Sequence, residues 1–212
     1  MRDTGHGGHS GQGDHAAAPD PLSLPTLVVK QKLKLFELKN EYEFFDESGR
    51  PAGRVTQVRQ SPLAMIARVV SSLDVMLPVH LEITDAAGRV VLLMEKPWLR
   101  WAVQASRPDG TVVGTITKQV RMGKARFGMT GPDGGDIGTV HARNWRAKDF
   151  AVFDAAGRQV GQVTKKWAGM REVFTDADTY VVQVDPATPE PLRSLAIASC
   201  LTIDTIMKQK DS

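Results

Sequence analysis

Two neighbouring segments in the middle of the chain are rich in basic residues, and the second also carries a tryptophan. Their members are Lys118, Arg121, Lys124 and Arg126 in the first segment, and Arg143, Trp145, Arg146 and Lys148 in the second. Each cation held near an anionic lipid surface contributes about 1 kcal/mol of attraction, and tryptophan suits the interface. Together with Trp98, Trp101 and Trp167, this pattern predicts a surface for anionic headgroups. The alternative is a solvated basic rim whose tryptophans fold into the core.

The sequence contains no recognisable catalytic constellation. His80 and His141 each lie in a strand-like run without a nucleophile motif nearby, and such histidines are mostly structural. The glycines are spaced as turns and not as a phosphate loop. We therefore expect no enzyme. Nucleic acid is not expected as a partner either, because neither an RNA-binding aromatic pair nor a recognition helix is evident.

The composition limits the class of protein more than the partner. The 212 residues suffice for one domain with its own core, and the formal net charge of +3 suits an anionic partner without identifying it. A single cysteine, Cys200, excludes a disulfide framework or a thiolate zinc cluster and predicts a reducing, cytosolic setting. Neither a signal-peptide pattern nor a run of transmembrane length is found, so we expect peripheral membrane contact. The oligomeric state is not indicated.

Residues 1–25 are rich in glycine, histidine, alanine and proline and have little apolar surface to bury. This composition predicts a disordered tail. His6, His9 and His15 could capture a transition metal transiently, but a tail gives them no fixed geometry.

From Thr26 onward, short β-type segments alternate with glycine turns. A first strand (residues 26–34) is followed by five hairpin-like units and a last strand, Tyr180 to Val184. The hairpin tips lie at residues 47–50, 86–89, 108–110, 132–134 and 155–158, each with a glycine where positive φ is needed. The pattern therefore predicts twelve strands. Residues 61–76 interrupt the repeat and predict a short helix over one end of a barrel.

The last segment, Pro189 to Met207, is predicted to be a helix that is apolar on every side. No residue between Arg193 and Asp204 is charged. Such a helix must be surrounded, either by protein or by a bilayer, and its uncharged run is well short of the ~20 residues that cross hydrocarbon. A twelve-stranded barrel has a lumen wide enough for a helix about 10 Å across. We predict a mainly β fold, an antiparallel barrel that encloses the hydrophobic C-terminal helix.

Three stretches resemble the phospholipid scramblase family and, through it, the Tubby C-terminal-like (LURP-one-related) fold. They are VHLEITDAAGRVVLLMEKPWLR (79–100), GQVTKKWAGMREVFTDADTYVVQV (161–184) and LAIASCLTID (195–204). The resemblance covers residues 27–207 and implies one domain over residues 26–208, a twelve-stranded barrel around a C-terminal helix. It also implies calcium-stimulated, ATP-independent movement of phospholipid between leaflets.

The resemblance implies a calcium loop that begins at Asp176. Its ligands would be Asp176, Asp178, Tyr180, Val182 and Val184. This sequence departs from the family at the twelfth place, where Ala187 stands instead of an acidic residue, and Asp185 lies two residues earlier. Calcium prefers six to eight oxygen ligands, and valines offer only backbone carbonyls. The alternative is that the two aspartates cap a turn entering a strand.

Two functions follow as hypotheses. The first is a scramblase-related protein at the inner face of the plasma membrane, which binds phospholipid and translocates it without ATP. The second is a soluble Tubby-like module that binds anionic headgroups or a protein partner without moving lipid. The cysteine-rich and proline-rich segments of animal family members are absent from this sequence, which removes their sites of palmitoylation.

Overall fold

Twelve antiparallel strands close into a barrel in the part of the chain that the computed structural model describes, residues 20–31, 41–58, 78–119, 123–144, 148–165 and 179–207. The strands are β1 (Thr26–Gln31), β2 (Glu41–Phe45), β3 (Pro51–Val58), β4 (Val79–Asp85), β5 (Val90–Lys96), β6 (Ala102–Ser106), β7 (Val112–Gln119), β8 (Arg126–Thr130), β9 (Asp136–Ala142), β10 (Asp149–Asp154), β11 (Gln159–Lys165) and β12 (Thr179–Val184). Each strand pairs with the next, and β12 pairs back with β1. The predicted fold is confirmed.

The barrel wall follows from alternation of apolar and polar residues. In β4, Val79, Leu81 and Ile83 are buried, whereas the residues between them are half-buried on the outer face. The closing pair places Leu27 of β1 opposite Val182 of β12, and both are fully buried. Closure removes the exposed strand edges that would otherwise pair with another chain.

The five predicted hairpins are confirmed, and three of their turns share one hydrogen-bonding pattern. These turns run from Asp46 to Arg50, from Asp85 to Arg89 and from Asp154 to Arg158. In each, the aspartate carboxylate accepts the backbone N–H of the arginine at 2.9 Å and also its Nε–H. The glycine before each arginine has a φ between 80° and 84°, as the sequence predicts for these turns.

The first of these turns predicts a pH dependence of stability. Burial acts to raise the pKa of Asp46, but hydrogen bonds from Ser48 and from the backbone and guanidinium of Arg50 outweigh it and lower the pKa to about 2. Because the folded-state pKa lies below the unfolded value of about 3.9, the stabilisation is present above about pH 4 and is lost as the pH falls through 2. The guanidinium of Arg50 is exposed, so screening reduces the contribution to about 1 kcal/mol.

We therefore expect Asp46→Asn to lower the free energy of unfolding by about 1 kcal/mol at pH 7 and by much less near pH 2. Urea denaturation at the two pH values measures this difference. An equal loss at both would contradict the assignment of the low pKa to this turn.

A single long helix, α1 (Leu192–Met207), runs through the barrel. Its buried apolar side chains point in every direction around the axis and comprise Leu192, Leu195, Ala196, Ile197, Ala198, Cys200, Leu201, Ile203 and Ile206. Of the two surroundings left open by the sequence, protein is therefore the one that the structure shows.

The helix begins three residues later than the predicted start at Pro189. Residues 189–191 form a turn whose carbonyls accept the first helical N–H groups, with Arg193 N bonded to Pro189 O and Leu195 N to Pro191 O, both at 3.1 Å. Glu190 nevertheless serves the helix start, because its carboxylate accepts the N–H and the hydroxyl of Ser194.

The described structure also includes residues 20–25, which the sequence pattern assigns to the tail. Pro21–Ser23 form a 3-10 turn in which Leu22 is buried, and Arg193 donates a hydrogen bond to the carbonyl of Ser23. Leu22 therefore packs against the core at the end of the barrel where α1 begins. The rest of the predicted tail and the predicted helix at 61–76 lie outside the described residues.

The two ends of the barrel differ. The five hairpin tips lie at one end, called here the hairpin end, and α1 enters there, with Ser194 accepting a hydrogen bond of 3.0 Å from Arg107 of the β6–β7 tip. The links from β5 to β6, from β7 to β8 and from β9 to β10 lie at the opposite end, called the connection end, because neighbouring strands alternate in direction.

Candidate functional site

Exposed apolar side chains are concentrated at the connection end. Among the described residues, the large hydrophobic side chains that are exposed are Trp98 (57%), Leu99 (57%) and Trp101 (41%). All three lie in the short link between β5 and β6. Such side chains are usually covered, and a cluster of them marks a surface that meets an apolar phase or partner.

The backbone and a neighbouring cation help to hold this link in place. The ammonium of Lys118 lies 4.6 Å from the ring centroid of Trp101, and the Lys118 N–H donates to the carbonyl of Trp101 at 2.8 Å. Leu99 has a φ of 58°, in the left-handed region that a leucine rarely adopts. The link therefore presents Leu99 outward despite the conformational cost.

The sequence-predicted basic residues surround this link in part. Lys124 and Lys148 are exposed, and Arg143, also exposed, accepts a hydrogen bond of 2.6 Å from Lys124 at its carbonyl. Arg126 lies at the start of β8 on the outer wall. Arg121, Trp145, Arg146 and Trp167 lie outside the described residues. Trp98 and Trp101 are exposed and not folded into the core.

We call the resulting surface the tryptophan rim. It consists of Trp98, Leu99, Trp101, Lys118, Lys124, Arg143 and Lys148. Lys118 belongs to β7, and the other members lie in three links that are two strands apart along the wall, roughly 10 Å from one to the next at 4.8 Å per strand. Apolar rings and cations are thus presented side by side on one end of the barrel.

The residues of the implied calcium loop are divided by the structure. Tyr180, Val182 and Val184 lie in β12 with their side chains buried inside the barrel, whereas Asp176 and Asp178 lie outside the described residues. Within the described ranges, no group of three or more histidine, cysteine or acidic side chains is arranged to hold a metal ion. The calcium loop stays a prediction, which a calcium titration of vesicle binding by the parent and by Asp176→Ala plus Asp178→Ala would test.

The barrel core contains a buried carboxylate that the sequence did not indicate. Asp204 is 2% exposed and accepts hydrogen bonds from the hydroxyls of Tyr42 at 2.5 Å and Tyr180 at 2.7 Å. Burial, with the nearby charge of Asp204, raises the pKa of Tyr42 well above its usual range and does the same to the thiol of Cys200. An acidic residue in the last turn of a helix interacts unfavourably with the helix dipole. This position could therefore have indicated that Asp204 has its own hydrogen-bond donors elsewhere in the fold.

These features define a class of protein: a closed twelve-stranded antiparallel barrel built around its own apolar helix, with a basic, tryptophan-bearing rim at one end. No helix in the described part of the chain is both long and apolar enough to span a bilayer. Residues 20–208 match the model of the Scramblase family, and the chain belongs to that family. The resemblance to the scramblase family that the sequence shows is therefore confirmed, and the Tubby-like superfamily is consistent with it. The Scramblase family is not a classical family of enzymes.

Several curated proteins are similar to this chain. Phospholipid scramblase 2 from Homo sapiens is 27% identical, over 89% of this chain and 72% of its own length, and phospholipid scramblase 1 from Mus musculus is 25% identical, over 93% and 68%. The Altered inheritance rate of mitochondria protein 25 from Saccharomyces cerevisiae is 23% identical over 77% of this chain, which spans 59% of the length of that protein. A solved structure of a protein from Arabidopsis thaliana is similar with a TM-score of 0.49 and 13% identity, over 88% of this chain and 94% of its own.

Proposed function

We propose that this protein binds anionic phospholipid membranes through its tryptophan rim and there moves phospholipid between leaflets without ATP. The observation that carries the proposal is the exposure of Trp98, Leu99 and Trp101 beside basic side chains at one end of the barrel. Indole rings are favoured at the membrane interface, and the cations supply attraction to anionic headgroups. Anionic lipid is enriched in the cytoplasmic leaflet, so the surface that we propose is the inner face of the plasma membrane.

The proposed translocation takes its support from the names of the human and mouse relatives, which are phospholipid scramblases. In the described barrel, α1 occupies the lumen and buries its apolar side chains on all sides. Displacing it would expose apolar area worth tens of kcal/mol. A lipid headgroup moved by this protein therefore travels along the outer wall and not through the barrel.

Vesicle sedimentation tests the rim directly. Replacing Trp98 and Trp101 together by alanine is expected to weaken binding to phosphatidylserine-containing vesicles by about tenfold, or about 1.4 kcal/mol, because both rings leave the interface. Val91, half-buried on the barrel wall away from the rim, provides a Val91→Ala control that should bind like the parent. Unchanged binding of the double variant would remove the rim from the proposal.

A second assay separates binding from translocation. Vesicles with labelled lipid in both leaflets are treated with dithionite, which bleaches only the outer leaflet. Protein-dependent loss of the inner-leaflet signal without ATP supports translocation. Vesicle binding without that loss favours the alternative function, a Tubby-like module that recognises anionic headgroups and leaves them in place.

A further inference from the structure

A groove of about 440 Å³ lies on the outer wall of the barrel, over β8, β9 and β10. We call it the wall groove. It is lined by Gln119, Arg126, Gly128, Asp136, Gly138, Thr139, His141, Phe153, Asp154, Ala155 and Gly157. It extends from the connection end, where β8 starts, towards the hairpin end, where β9 starts.

The end of the groove nearest the tryptophan rim carries two nitrogen atoms that lack hydrogen-bond partners. Arg126 and His141 lie directly opposite each other across β8 and β9. The Nε of Arg126 and the Nε2 of His141 are buried and have no hydrogen-bond partner. Leaving buried polar groups unpaired costs about 1–3 kcal/mol each, so an acceptor that reaches both nitrogens would be bound favourably.

The opposite end of the groove is acidic. Asp136 is exposed there, and Asp154 lies beside it with its carboxylate 3.2 Å from the Nε of Arg158. Asp154 is paired with Gly138, which is three residues from His141 along β9, or about 10 Å. The groove thus has a cationic and an acidic end, about three residues apart along β9.

The middle of the groove is apolar and open. The ring of Phe153 lies against that of His141, with centroids 5.1 Å apart. Gly128 contributes no side chain to the floor, and the amide nitrogen of Gln119 lies 2.9 Å from the position that a Cβ would take there. A ligand that displaces this flexible amide can therefore reach the strand backbone beside an aromatic face.

We propose that the wall groove binds a zwitterionic phospholipid headgroup, with its phosphate on Arg126 and His141 and its ammonium towards Asp136 and Asp154. The inference rests on the proposed function in one respect, the orientation of the bound lipid. In a lipid the phosphate lies nearer the acyl chains than the ammonium does. A barrel standing on its tryptophan rim presents the groove in the same order, cationic end nearest the membrane.

The state of the histidine agrees with this geometry. Burial, followed by the positive charge of Arg126, lowers the pKa of His141 below its ordinary value. The imidazole is therefore neutral at pH 7 in the free protein. A phosphate bound between the two side chains would oppose both causes and raise the pKa of His141.

The first experiment uses the soluble headgroup glycerophosphocholine and the full chain. Histidine NMR signals are followed during a titration, with inorganic phosphate titrated in parallel. We expect the His141 signal to shift saturably and its pKa to rise with glycerophosphocholine, at lower ligand concentrations than with phosphate. Equal affinities for the two would indicate an anion site only and would overturn the zwitterion assignment, and no response to either would overturn the site.

Two variants and a control test the groove residues. Gly128→Val fills the floor and Arg126→Gln removes the guanidinium, and each is expected to weaken glycerophosphocholine binding at least tenfold. Arg54→Gln removes the same charge from exposed β3 and should bind like the parent. If Gly128→Val does not fold, Arg126→Gln decides alone, and parent-like binding by that variant overturns the proposal.

Vesicles distinguish a membrane lipid from a free headgroup as the source of the ligand. With mixed phosphatidylserine and phosphatidylcholine vesicles, Gly128→Val should still sediment through its intact rim but lose dithionite-detected translocation. Headgroup binding without vesicle binding by the parent would overturn the proposed function alone. Vesicle binding by a parent that does not bind glycerophosphocholine would overturn the wall groove alone.

Discussion

Alanine in place of Leu195, Leu201 or Ile203 is expected to lower the free energy of unfolding by about 2–5 kcal/mol in each case. All three side chains are at most 3% exposed inside the barrel. At 100° per residue, Leu201 and Ile203 point about 240° and 80° away from Leu195, so the three sample different sides of α1. Each substitution removes buried methyl groups and leaves a cavity, because the surrounding strands can collapse only in part.

Chemical denaturation of the three variants measures whether the helix is enclosed on all sides. Leu99→Ala removes the same atoms as Leu201→Ala from an exposed position and should change the stability by less than about 0.5 kcal/mol. A helix that packs through one stripe only would show at least one nearly neutral substitution among the three. That result would contradict the enclosure of α1 by the barrel, which is the feature shared by the observed fold and the family.

Neutralising the cations of the tryptophan rim is expected to weaken vesicle binding by roughly 100-fold at low salt. Lys124, Arg143 and Lys148 are exposed at the connection end, and their replacement by glutamine removes three attractions of about 1 kcal/mol each. The effect should shrink as ionic strength rises and the Debye length shortens. Sedimentation with phosphatidylserine vesicles over a salt series measures both effects.

A matched triple variant removes the same charge from the hairpin end. Glutamine at Arg50, Arg54 and Arg89 also takes the net charge from +3 to zero, but at exposed positions away from the rim. We expect this control to bind vesicles within a few-fold of the parent. Equal losses in the two triple variants would show that net charge, and not the rim, attracts the membrane.

The sequence predicted the barrel well because each hairpin is specified locally. The tip from Asp85 to Arg89, for example, contains its own glycine at positive φ and an aspartate that accepts hydrogen bonds from the turn. The strands on either side alternate in polarity, so their number could be counted without knowing their pairing. The absence of charge between Arg193 and Asp204 of α1 was an equally local signal.

Features that depend on register could not be predicted in this way. His141 and Arg126 are 15 residues apart, and only the pairing of β8 with β9 places them together. Tyr42 and Tyr180 come from opposite ends of the chain and meet at Asp204 because β1 lies between β2 and β12. The link from β5 to β6 could be located from sequence, but the exposure of Trp98 could not, since tryptophan is also a common core residue.

The position of α1 in the chain order constrains how the protein is made. All twelve described strands leave the ribosome before the helix that fills the barrel. Strand β1 cannot pair with its second neighbour until β12 has been synthesised. Until Leu192–Met207 is available, a nascent chain has an apolar interior with nothing to cover it. Biosynthesis therefore includes an interval in which the chain needs protection from aggregation, and native structure forms only after the twelve described strands and α1 have been translated.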